Sequence, residues 1–307
     1  VLCTPCPCCT SKTSCLLKMV PTAFESGMAC ATPYSWGWPM WVLKLKFPTD
    51  MGKNKLSKFA DMEHFAHVFQ MPSHALRQGR VFDLKGQWHA HFFNNTNPIV
   101  LELGCGKGEY TVELARRHPE KNFIGVDIKG ARMWSGAKAS AEANLNNVAF
   151  LRTDIEMISH FFAPNEVDEI WITFPDPQMK KTGKRLTATN FIQIYLQFLK
   201  PNAVIHLKTD SDFLFTYTTQ MLQANAFEVL RHDSNVYAIA GMDPDLAIKT
   251  YYEQQWLGRG LTIKYIQFKP ALRNPFVEPD IEIEHDAYRS FGRSKRHEID
   301  PDYLLLR

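Results

Sequence analysis

From Pro98 onward the chain alternates short apolar runs with longer amphipathic segments. The apolar runs predict seven strands: Ile99–Leu103, Asn122–Asp127, Val148–Arg152, Val167–Ile172, Ala203–Lys208, Phe227–Asp233 and Leu261–Phe268. Between them, Trp134, Ala137, Ala141 and Leu145 recur at helical spacing and give one apolar face. Phe191, Ile194, Tyr195 and Phe198 do the same, and Pro201 is expected to stop that helix. The stretch Tyr237–Gly260 has too little apolar periodicity for a helix and reads as a loop joining the last two strands. Strand–helix alternation predicts an α/β fold. Its sheet is expected to be seven-stranded and mostly parallel, with helices on both faces and an antiparallel edge strand.

Residues 1–50 have a different texture, rich in Cys, Pro, Trp and Thr and without helical or strand periodicity. At Met51 the chain changes to Met-Gly-Lys-Asn-Lys-Leu-Ser-Lys-Phe, a basic start. We therefore expect 1–50 to be a non-native or disordered extension, with Met51 the true initiator. Residues 51–97 read as a basic arm and linker, 98–269 as the main domain, and 270–307 as a tail. Arg289, Arg293, Lys295 and Arg296 make that tail basic.

Composition narrows the options. The net charge is only +3, and residues 1–50, with four Lys/Arg and two Asp/Glu, hold two of those charges. A nucleic-acid surface must then be a local patch rather than a basic domain. Six of the seven cysteines fall in the first 30 residues, so the main domain, with Cys105 alone, has no internal disulfide. That suits a reducing cytoplasm. Cys3 and Cys6 form a C-x2-C pair, but no second pair follows at zinc spacing, and no metal is expected. No apolar run approaches the ~20 residues of a membrane helix.

The chemistry begins at Glu102-Leu-Gly104-Cys-Gly106-Lys-Gly108-Glu109, a buried strand running into a glycine turn and then a helix. Glycines there admit positive φ and let a ligand approach the backbone closely. A dinucleotide loop needs G-x-G-x-x-G to seat a pyrophosphate, and Glu109 occupies the place of its third glycine. Acids at 102 and 109 suit a zwitterion such as S-adenosylmethionine better than an anion. Asp127 ends the second strand, where a carboxylate can hold a ribose diol. Asp154 ends the third, where it can accept from an adenine amino group or cap a helix.

The fourth strand leads into Phe174-Pro175-Asp176-Pro177. The flanking prolines are expected to stiffen the loop and bias Phe174 and Asp176 toward extended backbone. Asp176 is thereby held at the sheet edge. Lys180, Lys181, Lys184 and Arg185 follow within six residues, the local cationic patch that net charge hides. Such a patch positions RNA phosphates without reading sequence. Lys208-Thr-Asp210 and Thr250-Tyr-Tyr-Glu253 offer further hydroxyls and carboxylates to a base edge. Helix capping by Asp210 and simple packing of the tyrosines are the plainer alternatives.

Taken in this order, the motifs resemble the bacterial tRNA (guanine-N7-)-methyltransferase family, from about Met51 to Phe268. The resemblance implies a Rossmann-like class I methyltransferase fold, S-adenosylmethionine as cofactor, and methyl transfer to guanine N7 at position 46 of the tRNA variable loop. It further implies that Gly104, Gly106, Gly108, Glu102, Asp127, Asp154 and Asp176 line the cofactor pocket, with Asp176 also the active-site residue. Lys180, Asp210, Thr250, Tyr251, Tyr252 and Glu253 would contact substrate. Thr182, Gly183, Lys184, Arg185, Leu186 and Thr187 would form the RNA-contacting loop, here shorter and less arginine-rich than is usual. The rival readings are a methyltransferase acting on another RNA or base, an NAD-dependent oxidoreductase and a noncatalytic RNA-binding module. Glycine spacing and the lack of a hydride-transfer pair disfavour the oxidoreductase. The full set of acids disfavours the binding module. Monomer and homodimer remain open.

Overall fold

The computed structural model describes residues 51–273 and 275–287, with side chains from Ser57 onward. The expectations for residues 1–50 and for the basic tail after residue 287 lie outside the described residues. Eight strands form one sheet. They are β1 (Val68–Gln70), β2 (Ile99–Leu103), β3 (Asn122–Asp127), β4 (Val148–Arg152), β5 (Val167–Thr173), β6 (Leu199–Thr209), β7 (Glu228–Asp233) and β8 (Lys264–Lys269). Their spatial order is β1-β4-β3-β2-β5-β6-β8-β7, with every pair from β1 to β6 parallel. Chain order reverses between β2 and β5, the switch point at which ligands bind in such sheets.

Among the described residues seven α-helices accompany them: α1 (Met51–His64), α2 (Ser73–Arg77), α3 (Glu109–Arg117), α4 (Gly130–Glu142), α5 (Thr189–Tyr195), α6 (Asp212–Ala224) and α7 (Tyr251–Leu257). Side chains of α5 and α6 join one apolar cluster with the sheet, and those of α1, α3 and α4 join a second. The helices thus cover both faces, as a Rossmann-like class I methyltransferase requires.

The structure departs from the sequence expectations in several places, each for a physical reason. The sheet has eight strands because β1, from the expected linker, pairs with β4. Near it Trp88 is fully buried, stacked on Phe162 at 5.7 Å and donating its indole N–H to the Phe161 carbonyl. The reversed strand is β8, antiparallel to both β6 and β7, so β7 and not β8 forms the edge. Pro201 does not stop α5, which ends before it; Pro201 lies exposed within β6. The β5–β6 register is irregular there, which spares a ladder hydrogen bond that proline cannot donate.

The buried face of α4 is Met133, Gly136, Ala137 and Ser140, while Ala141 is exposed and Leu145 lies beyond the helix. Close packing on the glycine loop decides this: a Cβ at Gly136 would stand 2.7 Å from the Lys107 carbonyl oxygen. The expected loop Tyr237–Gly260 contains α7. Its one buried position is a carboxylate, Glu253, so an apolar period could not reveal it.

Candidate active site

The loop after β2 is built on three glycines, Gly104, Gly106 and Gly108, at φ 80°, 58° and 71°. They do two different jobs. A Cβ on Gly108 would stand 2.7 Å from the Phe150 ring and 3.1 Å from the Gly136 backbone, so this glycine serves packing. A Cβ on Gly104 would meet nothing within 4 Å, and one on Gly106 only the Gly104 oxygen at 3.9 Å. Their backbone is open to a ligand. Cys105, between them, is buried, and burial pushes its thiol well above the usual range, which favours the neutral thiol.

Glu102 does not stand on the rim. It is buried beneath the loop, where one oxygen accepts from the Thr111 N–H at 2.8 Å and from the Thr111 hydroxyl. The other accepts from the Thr173 hydroxyl at 2.6 Å, so one carboxyl ties together β2, α3 and the end of β5. Burial pushes its pKa up to about 7 against the opposing hydrogen bonds, with Asp127 adding to the rise. Asp127 accepts from the Gly106 N–H at 2.9 Å and the Lys129 N–H at 2.7 Å, bracing the loop from β3.

Asp154 precedes a short 3-10 helix, Ile155–His160, yet its side chain makes no capping hydrogen bond. Beside it, the Thr153 hydroxyl is the one buried side-chain polar atom without a partner among the described residues. Open glycine backbone, carboxylates on two adjacent strand ends and a spare buried hydroxyl fit a nucleoside-bearing zwitterion. The residues present therefore fit S-adenosylmethionine.

The second half of the candidate site begins where β5 leaves the sheet. Phe174 is not extended as its proline neighbour led us to expect; it takes φ 49°, in the left-handed region. Such a conformation costs a non-glycine residue roughly 1–2 kcal/mol. Its N–H donates to the Lys208 carbonyl on β6 at 2.8 Å, a tertiary bond that helps hold the turn. Asp176 emerges exposed, with one oxygen accepting the Gln178 N–H at 3.0 Å.

The following loop divides in two. Lys180, Lys181, Thr182, Gly183 and Lys184 are exposed, with Lys184 paired to Glu156. Arg185 turns inward instead. It is buried, donates to the Met179 carbonyl at 3.0 Å and the Gln178 carbonyl at 3.3 Å, and lies over the Phe213 and Tyr217 rings. Leu186 packs against the core and Thr187 is buried against Thr218. The Phe213 and Tyr217 rings and the Gln178 and Met179 carbonyls draw Arg185 inward, and Leu186 and Thr187 follow it into the core.

The remaining candidates sit deeper. Asp210 is fully buried, and its carbonyl accepts from Lys264 at 3.0 Å. The Thr250 hydroxyl caps α7 by accepting the Glu253 N–H at 3.1 Å. The Glu253 side chain is fully buried and bound to Lys208 at 2.8 Å and to the Tyr237 hydroxyl at 2.6 Å. Lys208 also donates to the Leu246 and Ile248 carbonyls. Burial lowers its pKa, opposed by Glu253. Tyr251 lies beside the glycine loop: its N–H donates to Glu109 at 2.9 Å and its ring carries the Lys107 ammonium at 3.6 Å. Tyr252 packs edge-on to Tyr251.

Sequence reasoning missed the pairing of Lys208 with Glu253, the inward turn of Arg185 and the buried Lys264. The Lys-Thr-Asp and Thr-x-x-Glu motifs marked two of these places, but nothing in either says that they meet. A separate cleft of about 550 Å3, lined by Lys107, Arg116, Ser135 and Lys249 among others, lies between α3 and α4. It contains none of Asp127, Asp154 or Asp176.

Residues 96–266 match a family model described as "Putative methyltransferase". A tRNA (guanine-N(7)-)-methyltransferase of Bacteroides thetaiotaomicron is 59% identical over 246 residues, covering 80% of this chain and 97% of that protein. Its counterpart in Bacteroides fragilis is 60% identical over 246 residues, with the same coverage. A more distant relative of that name, from Clostridium acetobutylicum, is 34% identical over 186 residues, covering 60% of this chain and 86% of its own. The glycine loop, the acids on successive strand ends and the Phe-Pro-Asp-Pro turn thus belong to a protein of the tRNA (guanine-N(7)-)-methyltransferase family.

Proposed function

We propose that this protein transfers the methyl group of S-adenosylmethionine to N7 of guanine at position 46 in the variable loop of tRNA. The observation that carries this reading is the shared edge of two paired strands. The open glycine loop leaves β2, and the exposed Asp176 follows its neighbour β5. Bound S-adenosylmethionine supplies a methyl carbon activated by its sulfonium. Gly104 and Gly106 leave room for it, Asp127 would meet the ribose diol, and Asp154 would meet the adenine amino group. Glu102 acts from below, by fixing the loop and α3.

Guanine N7 offers an in-plane lone pair and carries no proton, so the chain needs no obligatory general base. Its task is to align N7 with the methyl carbon, which lowers the barrier by orientation. Asp176, between two prolines, would stabilise the positive charge that reaches the purine ring. Lys180, Lys181 and Lys184 face solvent beside it and would neutralise RNA phosphates. The pair Tyr251 and Tyr252 would border the base, with the fully buried Asp210 behind them. Thr250 and Glu253 shape that border from within. Among the described residues no helix is long and apolar enough to cross a membrane, and a tRNA substrate places the reaction in the cytoplasm.

The deciding experiment is transfer of labelled methyl from S-adenosylmethionine to unmodified tRNA, followed by mapping of the modified base. We expect 7-methylguanosine at position 46. Label on another atom or position would overturn the assignment, as would NAD binding without S-adenosylmethionine binding.

A further inference from the structure

Residues 275–287 follow the matched family region and lie along α5 and α6. Glu278 accepts from the Thr189 N–H at the start of α5, at 3.0 Å, and from the Tyr217 hydroxyl on α6, at 2.6 Å. Asn225, which ends α6, exchanges two hydrogen bonds with Val277, at 2.7 and 2.8 Å. Further along, the buried carboxylate of Asp286 reaches the other end of α6. One oxygen accepts the Phe213 N–H at 3.0 Å and the other accepts the Ser211 hydroxyl. Ser211 is itself the cap of α6, accepting from the Leu214 N–H at 2.9 Å, and it directly follows Asp210.

A helix N-terminus has orphan N–H donors and a partial positive charge, so a second capping carboxylate there is stabilising in its own right. The contacts go further than a cap. The Asp286 N–H lies 3.2 Å from the Met179 sulfur, in the loop between Asp176 and Lys180. The Met179 carbonyl is held by Arg185, whose guanidinium lies 4.8 Å over the Phe213 ring. Asp286, Phe213, Arg185 and Met179 therefore close a ring of contacts. It joins the strand end that carries Asp210 to the loop that carries Asp176 and Lys180.

We infer that Asp286 is a positioning residue for the substrate edge, setting the Asp176–Lys180 loop against Asp210 through Met179 and through Phe213 and Arg185. It rests on the proposed function in taking that edge as the tRNA-binding side. The hydrogen bonds of Asp286 go to Ser211, Phe213 and Met179, all on the side of the substrate half, so its influence is expected there and not at the cofactor.

The test uses the full chain as Asp286→Ala and Asp286→Asn. Three quantities are followed: the S-adenosylmethionine Kd, the KM for tRNA, and the rate of tryptic cleavage after Lys180, Lys181 and Lys184. Asp286→Ala should raise the KM for tRNA about tenfold and speed loop cleavage, with cofactor Kd changed by less than about twofold. Asp286→Asn, which keeps an acceptor for the Phe213 N–H, should recover most of both effects. A lowered Tm with wild-type loop cleavage and wild-type KM for tRNA would reduce Asp286 to a helix cap. Parallel loss of cofactor and tRNA binding would overturn the inference too. Should Asp286→Ala fail to fold, Met179→Leu breaks the sulfur contact and spares the cap; faster cleavage supports the inference and unchanged cleavage refutes it. Cleavage needs no RNA, so a wild-type protein that failed to methylate tRNA would sink the functional reading and leave this one still decided.

Discussion

The two halves of the sheet edge handle backbone strain in opposite ways. In the cofactor half, the positive φ angles of the loop at 104, 106 and 108 all fall on glycine, which adopts them at no steric cost. In the substrate half, Phe174 and Gln178 take φ 49° and 48° with side chains in place. The first loop is self-sufficient, braced by Asp127 and Glu102 from adjacent strands. The second is held by distant chain: β6 through the Lys208 carbonyl, and Arg185 through the Gln178 and Met179 carbonyls. The glycine loop is a local motif, whereas the turn from Phe174 to Gln178 is assembled from remote parts of the chain.

That contrast can be broken at its most remote link first. Glu253→Gln removes the negative partner of a fully buried Lys208, and stranding a buried charge should cost roughly 4 kcal/mol. Urea unfolding measures this; a loss below about 1 kcal/mol would mean that α7 is not held by the pair. The cofactor half predicts a pH effect instead. The folded pKa of Glu102, about 7, lies above its ordinary 4.5, so between those values the folded state binds the extra proton. Stability is therefore lost as pH rises through that window, by on the order of 3 kcal/mol, and is flat above it. Denaturation midpoints from pH 4.5 to 8 should show this fall in the wild-type chain relative to Glu102→Gln. Equal slopes in the two proteins would remove Glu102 as the cause.

Asp176→Ala separates the halves functionally. Methyl transfer in a single turnover should fall about 100-fold while calorimetric affinity for S-adenosylmethionine stays near wild type. Full turnover would take Asp176 out of the mechanism. The smallest effects sharpen the division within the glycine loop. Gly108→Ala, with its Cβ in the Phe150 ring, should cost about 2–3 kcal/mol of stability. Gly104→Ala should cost only about 1 kcal/mol of backbone strain and weaken the cofactor instead. If Gly104→Ala bound S-adenosylmethionine normally, the open side of the loop would not be the cofactor side.

Legibility followed the same division. Strands β2 to β5 could be placed from apolar runs because parallel strands covered on both faces are apolar throughout. The positions of Asp127, Asp154 and Asp176 at strand ends then followed from topology alone. Helix α7 escaped notice because its inward residue is charged, and α4 was rotated because its buried face is small rather than apolar. Arginine on a basic loop ordinarily faces solvent, and only the Phe213 and Tyr217 rings with the Gln178 and Met179 carbonyls turn Arg185 inward.

By itself the sequence determined the α/β class, the glycine turn, the carboxylates at successive strand ends and the cofactor they suit. Each of these depends on residues close together in the chain, where periodicity and backbone sterics act. Tertiary structure decided that Glu102 lies under the loop and not on its rim, that Lys208 and Glu253 neutralise each other, and that Glu278 and Asp286 bond to the starts of α5 and α6. Those outcomes depend on desolvation and on partners dozens of residues away. A charged side chain becomes structural or functional only when the fold settles what water it loses and which partner it meets.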